Sequence, residues 1–224
     1  MRLSDRHRLC AICLVLSVLS VCTLFQCIQA KGAEGDSFWQ KAVAIAQANR
    51  GWIPGCAVLR IEILNKHGEV EQQEETLLDF VSKDTGEAPV NSYVDPSSLN
   101  IVGNSPFEPE FQSEISAHFT GERKNVEGKQ CVRYEYVWHR EAEVLTGTAW
   151  LEQETGMPVK TESSGRESVR LEFSSRQRVT VIFHNESDDA WFPRRMIMEV
   201  EAGLLTLGRN FRITLDYGDY RRTE

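Results

Sequence analysis

The chain has 224 residues, and its 33 acidic side chains outnumber its 25 basic ones, which gives a formal net charge of −8. A net acidic chain is a poor candidate for binding nucleic acid or for adsorbing to an anionic lipid surface by charge alone. Its length suits one domain that can bury a sizeable core without a structural metal.

The N-terminus has the three parts of an export signal. Three arginines precede an apolar run at 9–25, and the small Ala30 follows at a plausible cleavage point. The run is at the short limit for a membrane-spanning helix. We therefore predict a signal peptide over 1–30, export to the periplasm, and a single domain over 31–224. Secretion, or anchoring by an uncleaved N-terminal segment, is the alternative.

One helix is expected directly after the signal. Ser37 and Gln40 have the spacing of a capping box, and apolar residues recur at helical spacing over 38–50. Gly51 stands where a helix C-cap would be, and Pro54 blocks continuation. The pattern predicts a helix over 38–50.

Beyond the helix, apolar and polar residues alternate as they do in half-buried strands. The segment 82–109 interrupts this alternation with four prolines and is predicted to be a long connection. Strands are predicted at 59–63, 70–81, from Ile115 onward, 132–138, 145–152, 157–161, 168–173, 178–183, 195–202 and 211–217.

So many strands after one helix indicate a mainly β fold. A sheet of this size must curl, close or split into two layers. We predict one curled antiparallel sheet, an unclosed half-barrel, covered by the N-terminal helix. A two-layer sandwich is the alternative.

Two cysteines, Cys56 and Cys131, remain after the predicted signal. An exported domain favours a disulfide between them. Two separate thiols, each packed in its own strand, are the alternative.

The sequence lacks the common catalytic signatures, including G-x-S-x-G, H-E-x-x-H, the P-loop and G-x-G-x-x-G. His139 begins an H-x-E triplet. The chain lacks the P-C-x-x-C motif that supplies the cysteine ligands of zinc deaminases. His118 and His184 fall on polar positions of predicted strands. We therefore expect surface histidines, no metal, no cofactor and no enzymatic activity.

Aromatic residues and methionines recur on the predicted inner faces, and such residues can line an adaptable apolar cavity. The residues predicted to line a cavity of acyl-chain size are Tyr134, Tyr136, Trp138, Trp150, Phe173, Phe183, Met196, Met198 and Phe211. The alternative is a filled core, with an exposed patch for a protein partner at Phe107, Phe111, Trp191 and Phe192.

The segment Gly147–Lys160, GTAWLEQETGMPVK, resembles the hairpin of LolA/LolB-like proteins and outer-membrane lipoprotein-sorting proteins. Gly128–Tyr134 resembles the strand that precedes that hairpin. The resemblance implies an unclosed barrel with a helical lid over an apolar cavity that carries acyl chains across the periplasm. The expected function is non-enzymatic binding of lipid or lipoprotein acyl chains in the cell envelope. The alternative is a periplasmic protein-interaction module with a filled core and no ligand.

Overall fold

Extended chain, with side chains pointing alternately to the two faces of a sheet, makes up most of the molecule. A computed structural model describes residues 37–80, 105–140, 143–169, 173–187, 190–201 and 210–222. The predicted signal peptide and most of the 82–109 connection lie outside these residues. In the described part, the chain from Phe38 onward forms one compact unit. Among the residues that the structure describes, no helix is long and apolar enough to span a bilayer.

The predicted helix is confirmed. Helix α1 occupies residues 37–48 of the described chain. Ser37 is itself helical, so it is not the N-cap that its spacing to Gln40 suggests. Gly51, at φ 84°, lies in the turn after the helix, and the Trp52 amide closes that turn by donating to the Asn49 carbonyl at 3.2 Å. A positive φ is the conformation in which glycine is favoured.

Strands and one short 3-10 helix follow α1. In the described part of the chain these elements are β1 (Trp52–Ile53), β2 (Cys56–Leu64), β3 (Val70–Asp79), η1 (Pro109–Glu114), β4 (Ile115–Val126), β5 (Lys129–Arg140), β6 (Glu143–Glu152), β7 (Pro158–Val169), β8 (Phe173–Ser187), β9 (Ala190–Glu201), β10 (Asn210–Gly218) and β11 (Arg221–Arg222).

Nine of these strands form one antiparallel sheet in the order β3-β2-β10-β9-β8-β7-β6-β5-β4. Strands β4 to β10 pair in chain order as a meander. The last of them, β10, also pairs with β2, so the beginning and the end of the chain meet in the sheet. Strands β1 and β11 form a separate antiparallel pair. Because β3 and β4 remain as edges, the sheet is not closed into a barrel. The predicted fold class, an unclosed antiparallel half-barrel with an N-terminal helix, is confirmed.

The predicted strands at 157–161 and 168–173 are wrong as separate elements. Strand β7 runs without a break over Pro158–Val169, and Val169 pairs with Phe173 at the start of β8. In the sequence, Val169, Leu171 and Phe173 alternate with polar residues straight through this reversal, whereas 162–168 contains no apolar residue. A pattern with a period of two therefore gives no sign of the reversal.

Helix α1 packs on one face of the sheet, which we call the inner face. The helix contributes Phe38, Trp39, Ala42 and Ala46 to a buried cluster with inward-facing residues of the sheet. The Trp39 ring lies 4.9 Å from that of Phe107. We call this cluster the helix-covered core; its sheet and loop members are Phe107, Val132, Tyr134, Tyr136, Trp138, Ala149, Leu151, Phe183 and Trp191.

Candidate functional site

In the described part of the chain, four of the predicted cavity residues pack into the core under α1 instead of lining an acyl-chain cavity between the helix and the sheet. Tyr134, Tyr136, Trp138 and Phe183 are all buried in the helix-covered core. The Trp39 ring stands 5.5 Å from Tyr134 and 6.1 Å from Tyr136. A cavity of about 80 Å³ beside Tyr136 and Trp138 is far below the roughly 300 Å³ at which ligand pockets begin.

The Tyr136 side chain is fixed by its neighbours. A Cβ added at Gly147 would lie 2.4 Å from the Tyr136 ring, so the ring lies directly on the glycine. Burial raises the pKa of the Tyr136 hydroxyl far above its usual value, and a hydrogen bond with Ser163 partly offsets this. The hydroxyl is therefore a neutral structural group, which agrees with a filled core at this point.

Trp150 is a correction to the predicted lining. Its neighbours on β6, Ala149 and Leu151, belong to the helix-covered core, so the pleat directs Trp150 to the outer face. There it packs with Cys131 in a small separate cluster, and the Arg133 guanidinium lies 5.9 Å from its ring. Phe173 begins β8, and its side chain lies outside the described part of the chain.

The predicted exposed patch is also wrong. Phe107 is fully buried, Trp191 and Phe192 are each 5% exposed, and Phe111 is half-buried against the helix-covered core. These side chains pack inward because η1 and the start of β9 lie against the helix-covered core. They offer no apolar patch to a protein partner.

Three of the residues predicted to line the cavity lie on the inner face outside the helix-covered core. They are Met196, Met198 and Phe211. Met196 is buried, whereas Met198 and Phe211 are half-buried. The register places apolar residues of four neighbouring strands in rows beside them. We call the half-buried or exposed members of these rows the open apolar face: Val179 on β8, Met198 and Val200 on β9, Phe211 and Ile213 on β10, and Ile61 and Ile63 on β2.

One row shows how continuous the open apolar face is. Val179 pairs with Met198, Met198 with Ile213, and Ile213 with Ile61. Ile61 is 37% exposed, which is a large apolar exposure for an inward-facing residue. Three strand spacings separate the ends of the row, so it spans about 14 Å. This length is sufficient to hold much of an extended alkyl chain.

Polar side chains border the open apolar face on both sides. On β3, Gln72, Glu74 and Thr76 stand opposite Ile63, Ile61 and Leu59 and are exposed. On β7, Thr161 and Ser163 stand opposite Val181 and Val179. Between these borders the side chains are apolar and make no hydrogen bonds to a ligand. The face can therefore accept an apolar ligand whatever polar group that ligand carries.

Two of the seven residues of the open apolar face, Met198 and Phe211, are in the predicted lining. The alternation through 59–63 marks the isoleucines of β2 as facing inward, but it does not say which strand lies next to them. The pairing of Ile61 with Ile213 joins residues from opposite ends of the chain. No local signal predicts a contact at that separation.

The predicted disulfide between Cys56 and Cys131 is not formed, and both are free thiols. They lie on β2 and β5, which five other strands separate in the sheet. The Cys56 Sγ donates to Asp219 Oδ2 at 3.5 Å. Burial raises the pKa of the Cys131 thiol to about 11, so this thiol is protonated and unreactive at neutral pH.

The described residues hold few groups for catalysis. His118, His139 and His184 are exposed. No cluster of three or more metal-binding side chains occurs in the part of the chain that the structure describes. A wide depression of about 760 Å³ crosses the outer face, and polar residues such as His118, Glu162 and Arg178 line much of it. Its mixed charges and hydroxyl groups do not suit an acyl chain.

Comparisons with protein-family models, with curated proteins and with solved structures found no match to this chain. The resemblance to the lipoprotein-sorting proteins therefore stays a prediction. Its hairpin residues occupy β6, β7 and the turn between them, where Gly156 packs against α1.

Proposed function

We propose that this protein binds an acyl chain, as part of a lipid or a lipoprotein, on the open apolar face and performs no chemistry on it. The observation that carries the proposal is the row of apolar side chains from Val179 to Ile61, which is continuous across four strands and incompletely buried. The export-like N-terminus supports a place in the cell envelope. The resemblance to lipoprotein-sorting proteins supports carriage of acyl chains between its membranes.

The energetics favour an apolar chain over a polar ligand. Each CH2 group removed from water contributes about 0.8 kcal/mol. A chain laid along the Val179–Ile61 row would bury several such groups and would also shield Ile61. Gln72, Glu74 and Thr76 at the β3 border are placed to stay in contact with water. Binding is therefore expected to strengthen with chain length until the chain exceeds the row.

The first experiment measures lipid directly. The protein is expressed from its full sequence in cells that export it, purified, examined by native mass spectrometry, and extracted with organic solvent for lipid analysis. We expect a stoichiometric added mass that extracts as an acyl lipid. A bare protein mass that does not change when fatty acid is added would overturn the proposal.

Adjacent residues of β9 provide a matched pair of variants. Met198 faces inward on the open apolar face, whereas Ile197 faces outward, and both are half-buried. We expect Met198→Glu to weaken binding of the fluorescent fatty acid cis-parinaric acid at least tenfold, because the carboxylate would have to be desolvated against the chain. We expect Ile197→Glu to leave the affinity within about twofold, since it changes the opposite face.

A second variant guards against loss of folding. Ile61 is already 37% exposed, so Ile61→Glu costs little stability while it places a charge at the end of the row. We expect weaker binding of cis-parinaric acid by this variant at an unchanged melting temperature. Equal binding by wild type, Met198→Glu and Ile61→Glu would place the ligand elsewhere.

A further inference from the structure

A second cavity lies where the end of α1 meets the start of β9. It encloses about 280 Å³, close to the lower limit of small-molecule pockets. Its aromatic lining residues are Trp52, Phe183, Trp191, Phe192 and Tyr220, and we call it the aromatic cavity. It shares no lining residue with the open apolar face.

The aromatic rings are held in place by one another. Phe183 and Trp191 stack with their ring centroids 4.1 Å apart, and Phe192 and Tyr220 stack at 4.3 Å. The Trp52 ring lies 5.3 Å from that of Phe192. Such offset and stacked pairs hold ring surfaces in fixed positions at the wall of a cavity.

Two of these aromatic residues, Trp191 and Tyr220, already use their polar side-chain atoms within the protein. The Trp191 indole N–H donates to the Pro158 carbonyl, and the Tyr220 hydroxyl donates to the Pro193 carbonyl at 2.6 Å. These two residues therefore offer a ligand their ring surface and not a hydrogen-bonding group. The electron-rich face of an aromatic ring attracts cations.

The charged residues of the aromatic cavity leave one negative charge in excess. Its ionisable lining residues are Arg50, Glu108 and Glu110, and Arg50 forms an ion pair with Glu110. Among the described residues, none donates a hydrogen bond to the Glu108 carboxylate. Burial raises the pKa of Glu108, and the nearby Arg50 offsets this only in part. Glu108 is half-buried, and a cation placed beside its carboxylate would offset this partial desolvation.

Two further features agree with a cation. The cavity adjoins the C-terminal end of α1, where the helix dipole is negative. The Glu108 backbone is also fixed, because Gln112 Nε2 donates to its carbonyl at 3.0 Å and to the Pro106 carbonyl at 2.9 Å. Gln112 is itself held by the Trp39 indole N–H at 2.9 Å. A fixed site loses less entropy when a ligand binds.

We propose that the aromatic cavity binds an organic ammonium group, with Glu108 as the counter-ion and the rings of Trp52, Trp191 and Phe192 as its walls. An anion is disfavoured because Arg50 is engaged by Glu110 and Glu108 would repel it. The ammonium group can belong to a free amine or to the headgroup of a lipid, since both present the same cation.

The test uses ligands that lack an acyl chain, so its result is independent of the open apolar face. Choline is titrated into the full-length protein and binding is followed by isothermal calorimetry and tryptophan fluorescence. We expect saturable binding of choline and at least tenfold weaker binding of 3,3-dimethylbutanol, which has the same shape without the charge. Equal binding of both ligands, or no choline binding at millimolar concentrations, would overturn the proposal.

Variants separate the charge from the aromatic wall. Glu108→Gln keeps the shape of the side chain and is expected to weaken choline binding at least tenfold. Trp52→Leu is expected to weaken it by about fivefold, in the range of a partly exposed cation–π contact. The control Glu154→Gln removes an exposed carboxylate outside the cavity and is expected to bind choline like wild type. Unchanged binding by Glu108→Gln would overturn the assignment of the counter-ion.

The source of the ammonium group is read from a second ligand. Glycerophosphocholine carries the same cation on a lipid-headgroup phosphate. If a lipid headgroup is the natural ligand, glycerophosphocholine binds at least as tightly as choline, and both are weakened by Glu108→Gln. If a free amine is the natural ligand, the added phosphate weakens binding relative to choline. Either result supports an ammonium site and identifies its source.

Discussion

At the scale of single residues, partial burial of Glu108 disfavours the ionised form of its carboxyl group. Its pKa is raised from an ordinary value of 4.5, chiefly by desolvation. The folded protein therefore holds this proton to a higher pH than the unfolded chain does. The penalty is absent below the unfolded pKa and is complete above the folded pKa, so Glu108 lowers stability as the pH rises between the two.

We accordingly expect Glu108→Gln to become more stable relative to wild type as the pH rises from about 4 to 7. Urea unfolding of both proteins across this range measures the difference in the free energy of unfolding. The control Glu154→Gln removes an exposed carboxylate and measures the general effect of losing one surface charge. A variant that loses stability relative to wild type at neutral pH would mean that the Glu108 carboxylate makes a favourable contact in the folded state. A gain in stability together with a loss of choline binding is the pattern of a residue kept for function.

Single residues also mark the limit of reading faces from sequence. Tyr134, Tyr136 and Met198 were assigned to the inner face correctly because they alternate with polar neighbours. Aromatic character alone predicts Trp150 on the same face, although the pleat gives that face to Ala149 and Leu151. The phase of the alternation is a better guide than the size of the side chain, because a strand cannot direct adjacent residues to one face.

At the scale of elements, α1 packs against the turn of the β6–β7 hairpin at one glycine, Gly156. Gly156 has a φ of 78°, and a Cβ there would lie 2.8 Å from the Lys41 Cβ on α1. The hairpin turn is further fixed because the Thr155 hydroxyl donates to Glu152 at 2.6 Å and accepts from the Met157 amide at 3.1 Å. The turn is therefore a rigid support against which the helix packs.

We expect Gly156→Ala to lower the free energy of unfolding by about 2–3 kcal/mol. Roughly 1 kcal/mol of this comes from the left-handed backbone conformation, and the rest comes from displacement of α1. The matched control is Gly68→Ala in the β2–β3 turn, where φ is 81° and nothing lies within 4 Å of the added Cβ. In this control, urea unfolding should show a free energy of unfolding lowered only by the roughly 1 kcal/mol of the left-handed backbone conformation. Equal losses in the two variants would mean that α1 adjusts without cost.

The elements themselves were largely predictable where a local pattern defines them. Helix α1 follows from apolar spacing, and β4 begins at Ile115 as expected. Sequence reasoning misses the hairpin between Val169 and Phe173, because the alternation of Val169, Leu171 and Phe173 runs through the turn itself. Sequence periodicity reports the conformation of a segment, whereas a chain reversal depends on the few residues of its turn.

At the scale of the whole molecule, both candidate sites are assembled from distant parts of the chain. The open apolar face requires β2 to pair with β10. The aromatic cavity joins the end of α1, the segment before η1, the β8–β9 pair and Tyr220. Sequence reasoning predicted a half-barrel with an apolar inner face, but it placed the opening under the helix. The helix-covered core is full because Trp39 and Phe107 occupy that space.

Hydrogen exchange can test this division of the molecule. If cis-parinaric acid binds on the open apolar face, it should slow amide exchange in β9, β10 and β2, because a ligand that binds only the folded state suppresses local opening around its site. Exchange in β5 and β6 should not change, since their inner residues are already buried under α1. Choline should instead slow exchange at 49–52 and 105–110.

The variants keep these outcomes distinguishable. Met198→Glu should abolish the slowing by the fatty acid and keep the slowing by choline, whereas Glu108→Gln should do the reverse. Protection that appears in β5 and β6 on addition of fatty acid would show that α1 moves away to admit the chain between itself and Tyr134. In that case the helix would be a lid, and the filled core would be the closed state of the binding site.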